Sequence, residues 1–188
     1  ESGSNARPSV VVYDRENSAI ANSNVADFSW NKIFENGTWF HITGITPAIS
    51  KNAQEVSLEA VKQAKSMGLT VSIDLNYRKK LWNYGKKPSE VMKELVKYAD
   101  VLIANEEDIQ KSLEIQTSID VTKGQLDIEA YKKLIQSVKK DFPNLSTIAI
   151  TLRESFSADN SAWSGMLYNN DKIFVSQKYQ IHDIVDRV

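Results

Sequence analysis

Short apolar runs alternate with stretches of helical periodicity along most of the chain. Thr38-Trp39-Phe40-His41-Ile42-Thr43 reads as a strand that stops at Gly44 and Pro47, both breakers. Ser50 then offers an N-cap. Ala53, Val56, Ala60, Val61, Ala64 and Met67 recur on one helical face, and Gly68 follows as a C-cap. Residues 69–75 predict the next strand. Pro88 opens a second helix with Val91, Leu95 and Tyr98 on one side, and Val101-Leu102-Ile103-Ala104 is wholly apolar, as suits a strand buried on both faces. Asn105-Glu106-Glu107-Asp108 begins an acidic helix, and residues 117–125, with Gly124, read as a long loop. Asp127 caps an amphipathic helix whose apolar side is Ile128, Tyr131, Leu134, Ile135 and Val138, with lysines opposite. Residues 147–152 form another buried strand. The rhythm then changes to a hairpin, residues 162–168 and 172–179 around Asn169-Asn170-Asp171.

Strands separated by helices predict an α/β fold. The expected form is a doubly wound, mostly parallel sheet with helices on both faces, because parallel strands need crossover connections. Those crossovers should be right-handed. Ser9-Val10-Val11-Val12-Tyr13 stands apart, a strand with no adjoining helix, and suggests a small separate sheet.

Composition narrows the function. Across 188 residues, Lys+Arg 23 against Asp+Glu 24 leaves a net charge of −1, without the basic excess by which nucleic-acid binders neutralise phosphates. Cys 0 excludes disulfides, thiolate metal sites and cysteine nucleophiles, and His41 and His182 are too few for a histidine-rich metal centre. No signal-like opening and no bilayer-length apolar run is visible, so a cytoplasmic protein with neither membrane nor nucleic-acid partners is expected. There is no G-x-x-x-x-G-K-[ST] loop, no G-x-G-x-x-G and no serine-hydrolase signature.

Ligands of open α/β sheets bind beyond the carboxyl ends of the strands. Three such ends are polar here. If the chain stays extended after the second strand, Asp74, Asn76 and Arg78 point the same way, and the Arg fork suits a carboxylate or phosphate. An internal Asp–Arg pair that stiffens the loop is the plainer alternative. Asn105 to Asp108 reads first as an N-cap with dipole-complementing acids, and secondly as a water-mediated Mg2+ site. Thr151-Leu152-Arg153-Glu154-Ser155 either touches a nucleotide or closes a turn. Away from the sheet, Tyr13 and Arg15 share a strand face and could grip a sugar acid, or could be an ordinary solvated strand end.

Four strings follow one another in order: residues 7–15 (Arg-Pro-Ser-Val-Val-Val-Tyr-Asp-Arg), Gly44-Ile45-Thr46-Pro47-Ala48, Asp74-Leu75-Asn76-Tyr77-Arg78-Lys79-Lys80-Leu81-Trp82, and Ala104-Asn105-Glu106-Glu107-Asp108. Together they resemble the ribokinase-like (PfkB) carbohydrate kinases, and among these the kinases of 2-keto-3-deoxygluconate, over essentially the whole chain. The Asp-x-Asn-Tyr-Arg-x-x-Leu-Trp string is the specific part. The resemblance implies an α/β kinase core over residues 16–188 and a small β lid to which residues 1–15 contribute, with homo-oligomers possible through the lid strands. It implies ATP and Mg2+ as cofactors and a sugar acid as substrate.

By the same resemblance Tyr13, Arg15 and Arg78 contact the sugar acid, and Arg78 acts in catalysis between sugar and phosphates. Asn76, Tyr77, Asn105, Thr151, Arg153 and Ser155 lie along the nucleotide, and Asp108 holds Mg2+ through water. The family's usual Asn-x-x-Glu is Asn105-x-x-Asp108 here, and its common Thr-Leu-Gly reads Thr151-Leu152-Arg153. The resemblance further implies a middle section of a longer enzyme, with a glycine-rich anion hole and a general-base Asp beyond Val188, so that these residues alone would not turn over substrate. A kinase for another sugar such as fructose, or a non-catalytic sugar-binding domain, are the alternatives.

Overall fold

The computed structural model describes residue 12 and residues 14–116, 127–157 and 159–184. Four strands, β1 (Trp39–Thr43), β2 (Thr70–Asp74), β3 (Val101–Ala104) and β4 (Thr147–Ser155), pair in parallel in that order. β5 (Ser161–Asn169) then runs antiparallel along the whole of β4. β6 (Lys172–Val175) and β7 (Tyr179–Ile181) share the outer edge of β5, one half each. The result is a seven-stranded mixed sheet.

Register decides where the core sits. Ile42, Ile73, Leu102, Ile148 and Tyr168 stand opposite one another across five strands, as do Ala104, Ile150 and Met166, and all are buried on the same face. Helices α4 (Lys51–Ser66), α5 (Pro88–Val96), α6 (Glu106–Leu113) and α7 (Ile128–Asp141) lay Val61, Met92, Leu95, Ile109, Tyr131 and Ile135 into that cluster. The crossovers from β1 to β4 all step the same way along the sheet, and the helices between these strands bury their apolar sides in this cluster. The other face presents Trp39, His41, Thr151, Arg153 and Trp163, all exposed.

The helices start where the local chemistry satisfies their free N–H groups. Ser50 Oγ accepts from the Ala53 N–H at 3.0 Å and donates to the Ala21 carbonyl at 2.7 Å, which also pins the short α1 (Ala19–Asn22) to α4. Asp127 accepts from Ala130 N–H at 3.0 Å in the same way. Pro88 occupies the first turn of α5, where its missing N–H costs nothing. α2 (Trp30–Ile33) lies in an aromatic run, Phe28, Trp30, Phe34 and Phe40, with successive centroids 5.0, 5.9 and 5.1 Å apart. No helix of the described residues is long and apolar enough to cross a membrane.

Three details depart from the pattern-based expectation. Gly44 and Pro47 end β1, but a one-turn helix, α3 (Ile45–Ile49), begins at once, with Pro47 in the first turn where it is tolerated. β4 extends to Ser155 because β5 pairs with all nine of its residues. The expected second hairpin arm breaks in two at Ser176, whose N–H reaches the Gly165 carbonyl at 2.9 Å while its Oγ accepts from the Gly165 N–H at 2.9 Å. The proposed N-terminal strand falls largely, and the loop of residues 117–125 wholly, outside the described residues.

Gly44 is required by a close approach. A Cβ there would lie 2.1 Å from the Leu75 carbonyl oxygen and 3.1 Å from Met92 Cε, and the Gly44 N–H itself bonds the Asp74 carbonyl at 2.7 Å. Gly44→Ala therefore forces β1's exit away from β2's. Chemical denaturation should show a loss of about 1–3 kcal/mol. A variant as stable as the parent would mean that the two exits are not packed backbone to backbone.

Candidate functional site

Because β1 to β4 are parallel, their carboxyl ends form one rim. Thr43 stands beside Asp74, Asp74 beside Ile103, and Ala104 beside Ile150. β4 alone continues past this level, so residues 151–155 rise above the rim on a strand and not in a turn. Alternation sends Leu152 and Glu154 to the core and leaves Thr151, Arg153 and Ser155 exposed on the open face.

At the exit of β2 the expected convergence is only partly realised. Leu75 is still held by the Ile103 carbonyl at 2.9 Å, but Asn76 turns left-handed with φ 39°, which breaks the alternation. Asn accepts that backbone conformation more readily than most residues. Its side-chain amide then donates to Thr43 Oγ1 at 3.2 Å, tying the β2 exit to β1. Arg78 is exposed and steadied by a 2.9 Å bond from Nη1 to the Tyr77 carbonyl.

Asp108 organises the rim. Only 6% exposed, it accepts the Tyr77 N–H on Oδ1 at 3.0 Å and the Asn105 N–H on Oδ2 at 3.3 Å. Asn105 Oδ1 answers by accepting from the Asp108 N–H at 2.8 Å, completing a capping box for α6. The carboxylate thus fastens the loop after β2 to the loop after β3. Burial pushes its carboxyl up to about 6, with the Asp74 charge adding to the rise, while the two backbone N–H groups and Arg78 pull the other way. Asp74 is also raised by burial, against the Asn76 N–H and the charges of His41 and Arg78.

Two clefts flank this clasp. One of about 450 Å3 is walled by Asn105, Glu106 and Glu107 on the α6 side and by Thr151, Arg153, Ser155 and Trp163 on the β4–β5 side. Glu106 is anchored by the buried Tyr131 hydroxyl, which donates to it at 3.1 Å, and the Arg153 guanidinium lies 5.5 Å from the Trp163 ring centroid. The second cleft, about 370 Å3, brings Arg15 together with Glu16, Lys80, Asn83 and Tyr84. Tyr84 is fixed there by a 2.7 Å bond from its hydroxyl to the Pro47 carbonyl.

The structure therefore gathers Asn105, Thr151, Arg153 and Ser155 in one cleft and puts Arg15 in another. Arg78, Asn76, Tyr77 and Asp108 form the seam between the loops after β2 and β3. Tyr13 lies outside the described residues. Lys80, Asn83, Tyr84 and Trp163 are not site residues in the sequence reading, and Glu106 enters it only as a member of the acidic stretch after Asn105. For the first three the available signal was the continuation of the Asp-x-Asn-Tyr-Arg string; for Trp163 there was none beyond strand propensity.

Among the described residues no group of three or more His, Asp or Glu side chains could hold a metal ion. Both Asp108 oxygens already serve backbone N–H groups, leaving lone pairs for water. With Glu106 and Glu107 at the neighbouring cleft wall, the donor set suits a Mg2+ that keeps its waters and arrives on phosphates, not one in a protein cage.

Residues 3–153 match the pfkB family of carbohydrate kinases, and the chain belongs to that family. In the solved structures it is similar to 2-dehydro-3-deoxygluconokinase of Thermotoga maritima, with 43% identity and a TM-score of 0.82 over 97% of this chain and 52% of that one. A 2-dehydro-3-deoxygalactonokinase of Haloferax volcanii is 36% identical over 115 residues, 61% of this chain and 36% of that protein. A fructokinase of Vibrio alginolyticus is 32% identical over 76 residues, 40% of this chain and 24% of that one. The chain thus spans about half the length of the solved relative, and less of the other two.

The Asp108 clasp carries a pH signature. Its folded-state pKa of about 6 exceeds the ordinary carboxylate value of about 4, so the native state binds more protons between those limits. The group's contribution to stability is greatest below about pH 4 and is lost as pH rises through about 6. Asp108→Asn removes that titration and leaves one acceptor oxygen for two N–H groups. In denaturant unfolding, the parent should gain stability relative to this variant as pH falls from 7 towards 5. A pH-independent difference, or one of opposite slope, would contradict the burial assigned to Asp108.

Proposed function

We propose that this chain forms part of an ATP-dependent, cytoplasmic kinase that phosphorylates 2-keto-3-deoxygluconate at its terminal hydroxyl. The observation that carries this reading is the Asp108 clasp, which places the Arg78 loop against the Asn105 turn with a polar cleft beside it. The names of the Thermotoga and Haloferax relatives, both kinases of 2-dehydro-3-deoxy sugar acids, support the substrate class.

Phosphoryl transfer asks a protein chiefly for alignment and for charge placed where it develops. The nucleotide lies along Thr151, Arg153, Ser155 and the Asn105 turn, with Asn76 and Tyr77 at its phosphate end. Asp108 would hold, through water, a Mg2+ arriving with the triphosphate, which would neutralise phosphate charge. Arg78 stands at the seam, free to lean over the transferring group while its loop is held by the Tyr77 N–H. Arg15, with Tyr13, receives the carboxylate of the sugar acid, which a neutral sugar lacks. The proton of the attacking hydroxyl goes to a general base, which the family resemblance assigns to an Asp of a glycine-rich segment following Val188.

The test is a coupled assay of the complete enzyme against ATP and a panel of 2-keto-3-deoxygluconate, 2-keto-3-deoxygalactonate and fructose. Preference for the acids is expected, and a preference for fructose would overturn the substrate assignment. In that enzyme Arg78→Ala should lower kcat/KM about 10- to 100-fold, the worth of a charge-assisted contact. An unchanged value removes Arg78 from the transferring group.

A further inference from the structure

The indole of Trp163 is the least expected member of the cleft beside Asn105. Arg153 and Trp163 are direct cross-strand partners in the β4–β5 pair, and the guanidinium carbon sits 5.5 Å from the indole centroid. Both belong to the open face, with Trp163 38% exposed. We infer that Trp163 positions Arg153 to grip the phosphate chain of a nucleotide, making the two side chains one binding unit; this rests on the nucleotide reading of the cleft proposed above.

Three features support the pairing. A lone Arg on an exposed strand samples many rotamers, and ordering it opposes binding. Stacking on an indole uses the flat face of the guanidinium and leaves its N–H donors, which lie at the edge of the plane, free for a ligand. Secondly, Arg153 is the cation among the lining residues of this cleft, whose other charged members are Glu106 and Glu107. Glu106 is engaged by the Tyr131 hydroxyl, and among the described residues no carboxylate forms an ion pair with Arg153. Thirdly, Thr151 and Ser155 flank Arg153 at two residues on either side, so two hydroxyls border the same spot on the strand. A planar fork between hydroxyls suits phosphate oxygens. A purine ring is the poorer fit, because the guanidinium already covers an indole face.

Calorimetric titration of the protein with Mg-ATP, inorganic tripolyphosphate and adenosine tests this. Arg153→Ala should weaken ATP and tripolyphosphate about tenfold or more. Trp163→Leu should weaken both about two- to fivefold. The double variant should bind no worse than Arg153→Ala alone, Trp163→Phe should recover most of the loss, and adenosine should be indifferent to all four. If the parent binds ATP but Trp163→Leu binds it equally well, the positioning role is overturned while the nucleotide site stands. Losses that multiply in the double variant, or a loss that falls equally on adenosine, also overturn it. A parent that binds neither ATP nor tripolyphosphate overturns the nucleotide reading itself, and this inference with it.

Discussion

The buried carboxylate of Asp108 is the constraint on which the rim depends. Parallel strands deliver their loops to one edge of a sheet, but nothing in strand pairing sets the spacing or orientation of those loops once the ladder ends. Here the ladder stops at Asp74 on β2 and Ala104 on β3. A single side chain then takes one N–H from each departing loop, at 3.0 and 3.3 Å. Burying a charge to do so is costly, and the raised pKa expresses that cost. The bond from Asn76 to Thr43 and the close contact of Gly44 with Leu75 add β1 to the same frame.

This arrangement changes what Asp108 means. By its spacing from Asn105 it could be a plain helix cap or a metal-associated acid, and in the structure the cap geometry is complete. The same carboxylate also reaches outside its own helix to Tyr77, which local capping alone does not require. The short Asp side chain fits this shape, since its carboxylate reaches both its own helix start and the loop after β2. Each of its oxygens accepts a single N–H, so each keeps a lone pair for a further partner.

Much of the scaffold was legible in the sequence because each element announces itself locally. Val101 to Ala104 is apolar throughout, Ser50 and Asp127 cap the helices that follow them, and Asn170-Asp171 turns a hairpin. The site was less legible because its geometry is set by partners distant in sequence. The left-handed Asn76 broke an alternation that periodicity alone would have continued. Residues 153–155 lie beyond the strand that the apolar run 147–152 predicts, because their strand partners, residues 161–163, come only later in the chain. Tyr84 enters the Arg15 cleft through a carbonyl 37 positions away, which no local pattern reports. Arg153 meets Trp163 only through cross-strand pairing, which the local sequence around either residue does not report.

Backbone amide hydrogen exchange at Tyr77 tests the central claim most directly. If Asp108 holds the two loops together, the Tyr77 amide exchanges slowly in the parent protein. It should lose that protection in Asp108→Ala, while the Ile73 and Leu102 amides of the adjoining strands stay protected. A Tyr77 amide that exchanges freely in the parent, or that is equally protected in both proteins, would contradict the account.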